Sequence, residues 1–296
     1  MLYQTVRTRG SYQHNVRNNN GLTIETLQKN IPSIFAQEPH VSCSQKYIYI
    51  PTINILKGMI NEGFIPVQAM QAKPRSTDRL EYAKHLIRFR KFNELGLSNP
   101  ETSEIILVNS HDRSSSYHLM NGVFRTVCSN GLISGDLENN FKVRHSGNII
   151  GEVIEAAYQI VGYSEETMNS LQKMKQIQLL PQERLLLAEY ALKARYNISD
   201  EDEDETTEAT AEKELPIPAS KLLSIRRMED NKQDLFTTMN VIQENVMKGG
   251  VSARDKNNKK HTLRQINGID QTVKVNKLIW SFADELKKIH QPMLTF

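Results

Sequence analysis

The stretch LIRFRKF at Leu86–Phe92, together with EIILVN at Glu104–Asn109, decides the predicted fold. In the first stretch every second residue shares one face, and that face carries Arg88 and Arg90, while the residues between them are mostly apolar. A period of two is typical of a β-strand with two different faces. The second stretch is a short apolar run, as expected of a buried strand. The sequence therefore predicts a β-sheet with a basic face.

Elements on both sides of these strands complete the prediction. The spacing of apolar residues predicts a helix over Thr52–Asn61 and strands over Phe64–Pro74 and Phe141–His145. After residue 148 the period becomes helical, and helices are predicted over Asn148–Val161, Glu165–Ile177, Pro181–Tyr196, Ser220–Lys248 and Ile269–Ile289. The predicted fold class is therefore α+β: an antiparallel β-sheet flanked by helices, followed by a helical C-terminal part.

Charge is segregated along the 296 residues, although the net charge is only +3. Residues 200–214 contain nine acids and one base, a charge of −8, so the rest of the chain carries +11. Such a run is typical of a solvated linker, and a second interpretation is a nucleic-acid mimic that covers a basic groove. The predicted domains are an N-terminal arm (1–40), an α+β core (41–198), an acidic linker (199–218) and a helical C-terminal region (219–296).

Several classes of protein are disfavoured by missing motifs. The chain has no G-x-x-x-x-G-K-[ST], H-E-x-x-H, G-x-S-x-G or C-x-x-C pattern, so we expect a protein without a cofactor, and more readily a binding protein than an enzyme. His111, Asp112 and His145 could be combined into a metal site, but their spacing matches no known pattern, and we expect none. Two cysteines, no long apolar run and no apolar signal region indicate a cytoplasmic protein that does not enter a membrane.

Basic residues concentrate in two segments, Lys73–Lys91 and Lys248–Arg264, each with a net charge of +5. Segregated positive charge indicates a polyanionic partner. Between them, the polar loop after Asn109 is interpreted either as a turn held by its own side chains or as a phosphate-contacting loop. The residues predicted to contact nucleic acid are Arg75, Arg79, Lys84, Arg88 and Arg90, with Arg113, Tyr117 and Arg125 beside them, and a second strip of Lys256, Lys259, Lys260 and Arg264.

One long segment carries a family resemblance. NSHDRSSSYHLMNGVFRTVCSNGL, at Asn109–Leu132, resembles the signature of an uncharacterised phage/plasmid-like protein family, a domain of unknown function found on phages, prophages and conjugative plasmids. Asp234–Thr238, Gln243–Asn245 and Gly249–Gly250 are similar to its second signature. This resemblance implies a mobile genetic element in a bacterial host.

The order of helix, antiparallel strands and helix is also similar to the core of single-strand annealing proteins. That likeness implies a basic groove, assembly of subunits into rings or filaments, and no need for ATP. It is an analogy of fold and context, which does not by itself establish function.

Two hypotheses follow from these patterns. The first is a single-stranded nucleic-acid-binding protein, in which cations neutralise the backbone, aromatic rings stack on bases, and strand annealing or recombination needs no catalytic residue. The second is an antagonist of a host defence protein that acts through the acidic run as a DNA mimic. Deleting residues 199–215 would separate them, because annealing predicts retained or stronger DNA binding and the mimic predicts loss of function.

Overall fold

The computed structural model describes residues 14–43, 49–74, 76–96, 99–126, 130–134, 141–143, 148–198, 215–254 and 258–290. The chain forms two compact units, Met1–Glu166 and Thr167–Phe296. The division lies about thirty residues before the predicted one at residue 198, because Leu187 and Leu192 are buried in the core of the second unit. A change in charge along the sequence need not coincide with the boundary between two cores. The acidic run at 199–214 lies outside the described residues.

The first unit is built on one antiparallel sheet. Its strands lie in the order β1 to β6, and β7 pairs with β5. The strands are β1 (His14–Arg17), β2 (Phe64–Gln71), β3 (His85–Lys91), β4 (Glu101–Asn109), β5 (Tyr117–Arg125), β6 (Asn130–Ile133) and β7 (Phe141–Val143). The two stretches that decided the predicted fold are β3 and β4, which pair directly, with Arg88 opposite Ile106.

One face of this sheet packs on helices. Apolar residues of β3 and β4, such as Ile87 and Leu107, share a buried core with Leu27 of α1 (Ile24–Asn30), Leu56 of α2 (Thr52–Asn61) and Val153 of α3 (Ile149–Gln176). Burial of these side chains is the main favourable term in the stability of this layer. The predicted α+β class, with helices flanking an antiparallel sheet, is confirmed.

Residues 14–40 belong to this fold, so the prediction of a separate N-terminal arm is wrong. The strand β1 pairs with β2, and α1 is capped by the Thr23 side chain, which accepts from the backbone of Thr26. Leu27, Ile31 and Ile34 are fully buried. Arg17 is the one arginine of these residues, and the apolar residues that follow it fix the segment to the core.

The second unit is mainly helical. It contains the C-terminal part of α3, α4 (Pro181–Tyr196), α5 (Leu235–Lys248), the two-stranded hairpin of β8 (Ser252–Arg254) and β9 (Lys260–Thr262), and α6 (Ile269–His290). Every residue of α5 from Leu235 to Val246 is buried. The helix begins at Asp234, whose carboxylate accepts from the Thr237 backbone, and ends at Gly249. Within the described part of the chain, no helix is long and apolar enough to cross a membrane.

One or two helices are predicted over Ser220–Lys248, and the α-helical part is shorter than that range. Only Leu235–Lys248 is α-helical, and two short 3₁₀ turns, Ala219–Leu223 and Met228–Asp230, precede it. The Asp234 cap satisfies helix-terminal N–H groups at the point where α5 starts, so the apolar residues before it belong to a different segment. The predicted helix over Glu165–Ile177 is the continuation of α3.

Candidate nucleic-acid interface

The predicted basic face of β3 lies inside the first unit. Arg88 and Arg90 are each 4% exposed, and both bind the carboxylate of Glu104. Arg88 Nη1 donates to Glu104 Oε2 at 3.0 Å, and Arg90 donates from Nε and Nη2 to Oε1 at 3.0 and 2.7 Å. The prediction that these side chains contact a nucleic-acid backbone is corrected here, because buried and paired guanidinium groups cannot reach phosphates.

A third guanidinium group and an aromatic ring belong to the same cluster. Arg17 Nη2 lies 3.5 Å from Glu104 Oε1, and the Arg17 guanidinium carbon lies 3.4 Å from the centre of the Phe124 ring. Arg17 is on β1 and Phe124 on β5, so the sheet curls until distant strands meet across its second face. We call Arg17, Arg88, Arg90 and Glu104 the arginine cluster. Its ion pairs connect β1, β3 and β4, which gives these arginines a structural role.

Tyr117 is also buried, and its predicted stacking on a base is corrected. Its side chain is 0% exposed, and its hydroxyl donates to the Ile50 carbonyl at 2.8 Å. In the loop before it, Asp112 Oδ1 accepts from the Ser114 backbone at 3.0 Å. Between them Arg113 adopts a φ of 68° and is exposed. The loop is therefore a turn held by its own side chains, as the first of the two interpretations states.

Thr52 is the centre of a buried polar network beneath this loop. Its hydroxyl lies 3.0 Å from His85 Nε2, 3.0 Å from His111 Nε2 and 3.1 Å from Asn109 Nδ2. All four residues are 0% exposed. The network joins the start of α2 to β3, to the end of β4 and to the loop that follows. We call these four residues the threonine network.

Hydrogen-bond capacity fixes the protons of the threonine network. His85 Nδ1 lies 3.1 Å from the Ala83 carbonyl, which can only accept, so Nδ1 carries the proton and Nε2 accepts from the Thr52 hydroxyl. With its single proton given to His85, Thr52 accepts from His111 Nε2 and Asn109 Nδ2. The Thr52 hydroxyl also lies 3.4 Å from the Tyr117 hydroxyl, which donates its proton to the Ile50 carbonyl. Both histidines therefore have structural roles in this network.

Burial lowers the pKa of His85 from its ordinary 6.5 to about 4. The histidine of the unfolded chain binds a proton below about pH 6.5, whereas the buried histidine of the folded chain does so only near pH 4. The folded state is therefore favoured fully above the unfolded pKa, and it loses this advantage as the pH falls towards the folded pKa. We expect the free energy of unfolding to fall by about 2 kcal/mol between pH 7.5 and pH 5 from this group alone. Urea unfolding at both pH values checks this, and His85→Gln should remove this part of the pH dependence. An unchanged dependence in that variant would contradict the assignment.

No group of three or more metal-ligating side chains occurs within the residues the structure describes. Of the combination considered from sequence, His111 binds Thr52 and Asp112 caps the turn at Ser114. His145 lies outside the described residues.

The other predicted nucleic-acid contacts of the first unit differ in their exposure to solvent. Arg79 is exposed in the 3₁₀ turn Thr77–Tyr82, Lys84 is half-buried, and Arg125 is 8% exposed at the end of β5. Arg125 lies opposite Glu101 in the β4–β5 register, so burial corrects its assignment as a surface contact. Arg75 lies outside the described residues. The first unit therefore keeps only scattered exposed cations from the predicted set.

The second predicted strip of nucleic-acid contacts, in the second unit, is exposed where the structure describes it. Lys259, Lys260 and Arg264 are all exposed, on and beside the β8–β9 hairpin, while Lys256 lies outside the described residues. Lys248 and Arg254 are exposed on the same segment. We call Lys248–Arg264 the basic hairpin.

Like charges face each other across the hairpin. Arg254 pairs directly with Lys260 in the antiparallel register. Opposed like charges destabilise a two-stranded hairpin, so this arrangement does not favour folding of the hairpin itself. Arg254 is held by the turn, where its Nη1 donates to the Asn258 carbonyl at 2.8 Å. A polyanion placed over both cations would relieve their repulsion.

An exposed aromatic ring lies at the end of α4. Tyr196, at the end of α4, is 39% exposed, and the guanidinium carbon of Arg195 lies 5.7 Å from its ring centre. The same Arg195 donates to the carbonyl groups of Val246 and Arg264. Arg195 therefore contacts both the Tyr196 ring and the carbonyl of Arg264 at the end of the basic hairpin. An exposed aromatic ring can stack on a base of single-stranded nucleic acid.

Sequence reasoning missed Lys221 and Arg226, which precede α5. Arg226 Nη2 donates to the Gly249 carbonyl at 2.5 Å, where the basic hairpin begins. Both cations are exposed. They are more than twenty residues from the hairpin in sequence, so the charge pattern alone could not show that they meet it. The similarity of Gln243–Asn245 to a family signature was the available signal, because Asn245 binds Arg226.

These features define a two-unit α+β protein with a basic hairpin on its helical unit. The chain belongs to the family described as a domain of unknown function (DUF932), whose model matches residues 39–280. Two similar proteins of Escherichia coli (strain K12) are UPF0380 protein YfjQ and UPF0380 protein YafZ. Each is 38% identical over 272 residues, which cover 92% of this chain and 93% of the relative. No solved structure matches the chain.

Proposed function

We propose that this protein binds nucleic acid through the basic hairpin of its second unit, with single-stranded DNA as the substrate. The observation that carries the proposal is the exposure of the cations on this segment. Six bases and one acid occur in Lys248–Arg264, and all five of the bases that the structure describes are exposed. Cations in this arrangement bind a phosphate backbone by releasing its counterions, without reading sequence.

The preference for a single strand is supported by Tyr196, whose exposed ring can stack on a base that a duplex would hide. The similarity in element order to annealing proteins supports strand annealing without ATP as the activity, in the cytoplasm of a bacterium that carries the mobile element. Annealing would bring several copies together on one strand, so self-association into a ring or filament belongs to the same proposal.

The test is a fluorescence titration with a labelled single-stranded oligonucleotide at two salt concentrations. Tight binding that weakens steeply with salt is expected. Removing three cations, in the variant Lys259→Ala/Lys260→Ala/Arg264→Ala, should weaken binding for all sequences alike. It should also reduce the slope of log affinity against log salt by about 2, since each single-strand contact contributes about 0.7.

Lys29→Ala is the matched control, because Lys29 is an exposed lysine on α1 of the first unit. It should leave both the affinity and the salt slope unchanged. Absence of binding at low salt would overturn the proposal. Equal affinity of the triple variant and the wild type would assign binding to another surface.

A further inference from the structure

A cleft opens at the base of the basic hairpin, within the second unit. Its volume is about 310 Å³, and it lies between the 3₁₀ turn Ala219–Leu223 with the residues that follow and the glycine pair after α5. It is shallow and largely open to solvent. The polar residues that line it are Lys221, Ser224, Arg226, Asn245 and Ser252, and the backbone of Gly250 completes it.

Asn245 is a buried residue that hydrogen-bonds to the segments lining this cleft. It is 2% exposed, and its Nδ2 donates to the carbonyl groups of Leu222 and Ser224, both at 2.8 Å. Its Oδ1 accepts from Arg226 Nε at 2.8 Å. One buried amide therefore fixes the turn that carries Lys221 and also fixes the guanidinium group of Arg226.

Arg226 is held in place on one side of its guanidinium group. Nε is bound to Asn245, and Nη2 is bound to the Gly249 carbonyl at 2.5 Å. Among the residues that the structure describes, Nη1 makes no hydrogen bond. A guanidinium group whose orientation is already fixed loses little side-chain entropy when it binds an anion.

The charged side chains that line the cleft are all positive. Lys221 and Arg226 supply two positive charges, Ser224 and Ser252 supply hydroxyl groups, and no carboxylate of the described residues lines the cleft. Gly250, at a φ of 80°, leaves open space where a side chain would stand. Two cations without a counter-charge suit an anion of charge −2. A terminal phosphate carries a charge of about −1.5 to −2 at pH 7, whereas a phosphodiester carries −1.

We infer that this cleft binds the terminal phosphate of a nucleic-acid strand. The exposed side chain of Ile225 and the backbone of Val251, which also line the cleft, would contact the adjoining sugar. The inference rests on the proposed function and adds to it a preference for strand ends. Arg226 and Lys221 bind the phosphate, and Asn245 acts as a positioning residue.

The test compares oligonucleotides of one sequence that carry a 5′-phosphate, a 3′-phosphate or no terminal phosphate. We expect one of the phosphorylated strands to bind about tenfold more tightly than the unphosphorylated strand, as a charge-assisted contact to a fixed arginine allows. Lys221→Ala, an exposed substitution, and Lys221→Ala/Arg226→Gln should each reduce this preference. The double variant should lower it to less than twofold while it still binds the unphosphorylated strand.

Arg254→Ala on the hairpin is the control, because it should weaken all three strands equally and keep the tenfold ratio. Equal binding of the three strands to the wild-type protein would overturn the inference while leaving the proposed function intact. A preference that persists in the double variant would also overturn it. Failure of every strand to bind would instead overturn the proposed function.

Discussion

Glu104→Gln is expected to lower the free energy of unfolding by about 3–5 kcal/mol, the range for breaking a buried ion pair by removing one partner. The Glu104 side chain is 0% exposed and contacts three guanidinium groups. A neutral amide keeps the size of the carboxylate and removes the only negative charge that these contacts share within the described cluster. The charges of Arg88 and Arg90, each 4% exposed, would then be buried without their counter-charge.

Urea unfolding followed by circular dichroism measures this loss. Hydrogen exchange of the β3 and β4 amides assigns it to the first unit. Glu38→Gln is the matched control, because Glu38 is exposed in the same unit and should change the free energy of unfolding by less than about 0.5 kcal/mol. A loss below about 1 kcal/mol for Glu104→Gln would contradict a structural role for the arginine cluster.

Most of the fold could be predicted from the periodicity of apolar residues in the sequence. The helix predicted over Thr52–Asn61 has those bounds in the structure, and Leu86–Phe92 differs from β3 by one residue at each end. What the period could not show is that both faces of β3 are buried. Alternation separates two faces, but the curl that brings Arg17 onto Phe124 depends on contacts between distant strands. The alternating arginines therefore indicated a surface, although the sheet folds around them.

Only part of the candidate nucleic-acid interface could be predicted from the sequence. Lys259, Lys260 and Arg264 were found because local charge density is visible in the sequence. The strands of the hairpin have three residues each, which is too short for any period to be recognised. The cleft depends on Asn245 joining Arg226 to the end of α5, a contact between segments that no spacing rule predicts.

Thr52→Val should lower the free energy of unfolding by about 3 kcal/mol or more, because it removes one hydroxyl that hydrogen-bonds to three buried side-chain nitrogens. Valine has nearly the shape of threonine, so the change isolates hydrogen bonding from packing. His85 Nε2, His111 Nε2 and Asn109 Nδ2 would each lose this partner, and each unsatisfied buried group costs about 1–3 kcal/mol. None of the three can turn to water, since all are 0% exposed.

Thr52→Ser is the matched control, because it keeps the hydroxyl and removes one methyl group. It should cost about 1 kcal/mol, the expected value for a single buried methyl group. Urea unfolding of both variants at pH 7.5 compares them with the wild type. If valine and serine destabilise equally, the threonine network contributes only through packing. If valine costs clearly more, the hydroxyl itself joins α2 to β3 and β4, and the difference between the two variants measures that connection. The Thr52→Val protein should still bind single-stranded DNA wherever it remains folded, because the basic hairpin belongs to the other unit.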